Sequence, residues 1–130
     1  MLVLDENLSA SQRQLLRKWR IRFRFVGADV ARSGAEDEDL ISLLHELSQP
    51  TFFTLDRDFY RGDWVHPNYG LVWLDVGRHE AAVFIRRFLR HPLFDTKTKR
   101  LGVVARVHGD GVRWWRRKPR SPQSAPWRDS

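Results

Sequence analysis

Short apolar runs alternate with amphipathic stripes through most of this chain, and that order admits few folds. Residues 2–4 (LVL) are a short apolar run, the pattern of a buried strand. Ser9 and Gln12 stand at capping-box spacing, and Leu15, Leu16 and Trp19 then recur at helical intervals, which predicts a helix over about 9–19. Ile21, Phe23 and Phe25 alternate with Arg22 and Arg24, the period-two pattern of a strand with one solvated face. Leu40, Ile41, Leu44 and Leu47 mark one face of a second helix that Pro50 stops. Residues 51–55 and 71–76 read as further strands, and Ala81, Phe84, Ile85, Phe88 and Leu89 as a third helix ended by Pro92. Residues 103–107 and 112–116 flank His108-Gly109-Asp110-Gly111 as a hairpin.

Early alternation of strand and helix predicts an α/β fold with a largely parallel sheet covered by helices. In such sheets ligands bind beyond the carboxyl ends of the strands. Acidic residues punctuate those places: Asp5-Glu6, the run Glu36 to Asp39, Asp56 with Asp58, and Asp75. Asp5 and Asp56 follow strands directly. Asp37 lies three, four and seven residues before Leu40, Ile41 and Leu44, so it shares the buried stripe's face at the helix start, where an acid also suits the helix dipole. Clustered carboxylates offer the oxygen ligands that hard divalent cations take. Asp is equally a residue of caps, turns and solvated ends, and that reading stays open here.

LVLDEN near the N-terminus, AEDEDLI opening a helix and TLDRDF closing a strand resemble, in that order, the PIN-like domain family, above all its short stand-alone bacterial members. The similarity covers about residues 1–118. It implies a three-layer α/β/α fold with a central mostly parallel sheet, to which the residues add the C-terminal β-hairpin. It implies acids that bind Mg²⁺ or Mn²⁺, and ribonuclease activity, often as the toxin of a toxin–antitoxin pair. Carried over by position, the catalytic and metal-binding acids are Asp5, Asp37, Asp56 and Asp58. The alternative to a ribonuclease is a non-catalytic module on the same fold that binds nucleic acid or a partner. Asp58 has a second option in pairing with Arg57 or Arg61. Asp75 is expected to be structural, and Asn7 to cap the first helix rather than orient a carboxylate.

Charge adds a candidate surface. Residues 1–99 carry 15 Lys/Arg against 14 Asp/Glu, a balance of +1, whereas residues 100–130 carry 8 against 2, a balance of +6, so the basic excess belongs to the C-terminal segment. There Trp114, Arg116, Arg117 and Lys118 join indole to phosphate-binding cations, a combination suited to single-stranded RNA. Trp114 and Trp115 face opposite sides of a strand, so one of the two is expected to pack inward. Arg22 and Arg24 form a second basic stripe that a solvated strand face explains or an acidic partner would cover. RNA, an antitoxin protein and a second copy of the chain are the partners this reading expects.

Other chemistries find no support. The chain has no cysteine, hence no disulfide or thiolate site. His45-Glu46 and His79-Glu80 lack the second histidine of a zinc-protease helix, and no glycine-rich phosphate loop or nucleophile elbow is present. No apolar run spans a bilayer and the start does not resemble a secretion signal, so a cytoplasmic protein without membrane contact is expected. Residues 1–118 read as one domain, and the Pro/Ser-rich basic residues 119–130 as a disordered tail.

Overall fold

A computed structural model describes residues 1–26, 37–117 and 121–127. Among them seven strands form one sheet: β1 (Leu2–Leu4), β2 (Arg24–Phe25), β3 (Thr51–Thr54), β4 (Gly70–Leu74), β5 (Val104–His108), β6 (Gly111–Trp115) and β7 (Gln123–Pro126). Their spatial order is β2-β1-β3-β4-β5-β6-β7. The first five are parallel, and β6 and β7 close the far edge as an antiparallel meander. The mixed α/β class and the C-terminal hairpin therefore match the expectation.

Among the described residues four α-helices accompany the sheet: α1 (Ala10–Lys18), α2 (Asp37–Glu46), α3 (Ala81–Arg90) and the short α4 (Lys97–Arg100). Alternate strand residues pack on opposite faces. Leu4, Phe53, Val72 and Ala105 join Leu16 of α1 and Phe84, Ile85 and Phe88 of α3 in the larger core. Val3, Phe52, Leu71 and Val104 join Leu40 and Leu44 of α2 in the other. Phe88 is fully buried between an edge-on contact with Phe53 (5.9 Å) and a stacked one with Phe94 (4.6 Å). Burial of such a ring contributes about 2–3 kcal/mol. No described helix is long and apolar enough to cross a membrane.

Three expectations change. The Ser9–Gln12 capping box does not form; Ser9 makes no side-chain cap, and Gln12 is buried with its Oε1 accepting the Ala82 N–H at 2.9 Å. It therefore satisfies an orphan donor at the start of α3 instead of its own helix. The second strand is shorter than 21–25, because the Ile21 N–H is taken by Leu16 O (2.9 Å) at the end of α1 and Ile21 and Phe23 pack on the core outside the ladder. The residues read as a disordered tail include β7. Gln123 to Pro126 pair with β6, and the Trp127 indole N–H donates to His108 O at 2.7 Å.

The connections also locate a site. From β1 the chain passes through α1 on one face to β2 on one side; from β2 it passes to α2 on the other face and on to β3 on β1's opposite side. The order thus reverses between β1 and β3. Beyond the carboxyl ends of two such strands a crevice opens, because the following loops diverge to opposite faces.

Candidate metal centre

Asp5 follows β1 and Asp56 follows β3, so both stand at that reversal. Asp37 is the first residue of α2, and Asp58 lies on the 3₁₀ turn Arg57–Phe59. One carboxylate oxygen each from Asp37, Asp56 and Asp58 lies within 4.8 Å of the other two. These three residues are half-buried, half-buried and exposed respectively, so the cluster is open to solvent on one side. Local hydrogen bonds shape it. Asp56 Oδ1 accepts from the Asp58 N–H at 2.9 Å, which fixes the turn that brings Asp58 round to the same side.

Asp5 stands apart from the three. It is buried, at 5% exposure. Its Oδ1 accepts from the Glu6 N–H (2.8 Å), and its Oδ2 accepts from the Thr54 hydroxyl (2.6 Å) and the Asn7 amide (3.3 Å). The Thr54 oxygen in turn accepts the Asp56 N–H at 2.9 Å. A continuous path therefore runs from the Asp5 carboxylate through Thr54 to the backbone of Asp56. The expected four-acid set resolves into three gathered carboxylates and one buried acid beneath them. Asp5 is not among the ligand atoms that converge within 4.8 Å.

Asn7 is the residue that sequence reasoning placed differently. It does not cap α1. Its amide nitrogen donates to Asp5 and to Thr54 (both 3.3 Å), and its oxygen accepts from the Leu55 N–H (3.2 Å). It thus laces the ends of β1 and β3 together, and the fully buried Thr54 completes the lacing. Their signal in the sequence was adjacency: Asn7 is two residues past Asp5, and Thr54 two before Asp56.

The electrostatics agree with a cation-seeking pocket. Burial pushes the Asp5 carboxyl above its ordinary range, the Thr54 and Glu6 hydrogen bonds oppose that, and the charges of Glu6 and Asp56 add to it. Asp37 is raised too, first by burial and then by Asp56, Asp58, Glu38 and Asp5. Mutual repulsion of this kind is relieved by a proton or a metal ion. A set made only of carboxylate oxygens fits Mg²⁺ or Mn²⁺ by donor chemistry, with water completing the shell. Arg61 feels Glu38 and Asp37 but spends its guanidinium on Asp63 (2.7 Å). Asp75 is structural, bonded to Arg106 on β5 at 2.7 Å.

No family model, no curated protein and no solved structure matches this chain.

The expected nucleic-acid residues divide. Trp114 is buried at 5% exposure with its ring edge-on to Phe94 at 5.1 Å, so it has no face to offer a base. Its neighbour Trp115 is half-buried on the opposite face and, with Gly62, Asp63, Val65, Arg116 and Arg117, lines a cavity of about 580 Å³. Gly62 lies directly against that indole; a Cβ there would meet the Trp115 ring at 3.1 Å. Lys118 lies outside the described residues.

Proposed function

We propose that this chain is a metal-dependent ribonuclease of the PIN-like type. The single observation that supports it is the meeting of Asp37, Asp56 and Asp58 within 4.8 Å at the reversal of strand order. Asp37, from the start of α2, meets Asp56 and Asp58 of one turn at the place where such sheets bind ligands, and that meeting of two separate segments supports a shared site over independent caps.

Asp37, Asp56 and Asp58 would hold Mg²⁺ or Mn²⁺, and the ion when bound would supply an activated water and neutralise charge on a phosphodiester. Asp5 acts through the residues above it. Its carboxylate fixes the Thr54 hydroxyl, which fixes the Asp56 backbone, so it is a positioning residue with Asn7 as its partner. The exposed side of the cluster leaves room for a polymeric substrate. The cavity of Trp115, Arg116 and Arg117, at the end of β6 beside the start of β5, joins an indole to two guanidinium groups, a chemistry that suits RNA. An antitoxin and a second copy of the chain remain proposed partners by resemblance alone.

The test pairs binding with turnover. Calorimetry should show Mn²⁺ binding by the wild type and its loss in Asp56→Asn, and Mn²⁺-dependent RNA cleavage should disappear in the same variant and in chelator. Mn²⁺ heats that are equal in both proteins would overturn the site. Metal binding without cleavage would leave a non-catalytic nucleic-acid module.

A further inference from the structure

On the α2 side the sheet is covered over β1, β3 and the first residues of β4 and β5, where Leu71 and Val104 are buried, and it reaches solvent only further along β4 and β5 and on β6. Trp73 on β4, Arg106 on β5 and Arg113 on β6 occupy one cross-strand row, with Trp73 opposite Arg106 and Arg106 opposite Arg113. Trp73 and Arg106 are half-buried and Arg113 is exposed. Trp115 lies two residues beyond Arg113, hence on the same face, and it too is half-buried.

Two features of this face call for a ligand. Like charges placed directly opposite on antiparallel strands repel, and Arg106 faces Arg113 in that way. Asp75 pairs with Arg106, so the row carries two guanidinium groups for one carboxylate. A phosphate accepting from either guanidinium would relieve that repulsion, and the fork geometry of Arg suits it. Trp115 adds flat apolar surface, while the Trp73 ring is held between Tyr60, 5.6 Å away ring to ring, and the Arg106 guanidinium, 5.6 Å from its centroid. Tyr60 directly follows the turn that carries Asp58, so the aromatic surface begins where the carboxylate cluster ends.

We propose that the solvent-reaching row of Arg106 and Arg113 with Trp115 on β5 and β6 is a track for single-stranded RNA leading past Trp73 and Tyr60 to the carboxylate cluster, with Arg106 and Arg113 on phosphates and Trp115 beneath an unpaired base. The track deepens the ribonuclease reading above and rests on it for the fate of the bound strand. Unpaired bases can stack on indoles, whereas a duplex keeps its bases stacked on one another. The track is therefore selective for single strands.

Anisotropy of a labelled single-stranded oligouridine, recorded in chelator, reads binding apart from cleavage. Arg113→Gln should lower affinity and reduce the slope of log affinity against log salt by about one. Trp115→Leu should weaken binding about tenfold. Both variants should keep wild-type circular dichroism, since Arg113 is exposed and Trp115 borders a cavity. Wild-type affinity and salt slope in Arg113→Gln would overturn the track, as would a duplex of equal length that competes as well as the single strand. In Mn²⁺, a wild type that binds the strand with the selectivity above yet leaves it uncut supports the track and overturns the ribonuclease reading.

Discussion

Asp5 is held in the fold at the expense of its own ionisation. Burial raises its carboxyl above the value it has in an unfolded chain, so the folded state binds that proton more tightly. The sign follows from linkage: its contribution to stability is complete below the ordinary carboxylate range and is lost as pH rises through the raised folded value. Asn at this position keeps the shape and removes the titration. Asn also withdraws one acceptor oxygen from the Glu6, Thr54 and Asn7 donors, so the slope with pH is the readout: metal-free wild type should gain melting temperature relative to Asp5→Asn as pH falls from neutral through the raised value. Parallel pH profiles would show that Asp5 carries no such burden. The same substitution should slow RNA cleavage while leaving Mn²⁺ heats largely intact, since Asp5 positions Asp56 and the three converging acids remain. This separates a positioning residue from a ligand.

At the scale of elements, one side chain joins two helices whose periodicity was plain from the start. The stripes of α1 and α3 were readable because Leu15, Leu16 and Trp19, and Phe84, Ile85 and Phe88, repeat at helical spacing. The role of Gln12 was not, because its partner Ala82 lies 70 residues away. Gln12→Ala leaves a buried N–H at the start of α3 without a partner, and should destabilise the protein by about 1–3 kcal/mol in chemical denaturation. Ser9→Ala should cost much less, since Ser9 makes no side-chain cap. A reversed order of these two effects would restore the capping box. The hairpin turn at Gly109-Asp110 and the stop at Pro92 followed local chemistry and were legible for that reason.

For the molecule as a whole, β7 decides how the sheet ends. PRSPQSAPW has the composition of a coil, with Pro and Ser throughout. An unpaired β6 edge nevertheless offers backbone donors and acceptors to any extended segment, whatever its side chains. Gly111 has a part in this: a Cβ there would collide with the Ala125 carbonyl oxygen. Truncation after Arg117 should lower the melting temperature and expose β6, with concentration-dependent association seen by light scattering. A truncated protein that stays monomeric with an unchanged melting temperature would show β7 to be dispensable.

Periodicity and punctuation by themselves determined the α/β class, the helical stripes, the hairpin and the acids at strand ends, because each depends on neighbours within a few residues. Only the tertiary structure decided that Asp37, Asp56 and Asp58 converge while Asp5 lies beneath them, that Trp114 is core and Trp115 surface, and that the last residues complete the sheet. Those outcomes depend on strand order and on which face each loop crosses, and contacts between distant segments leave no mark in local composition.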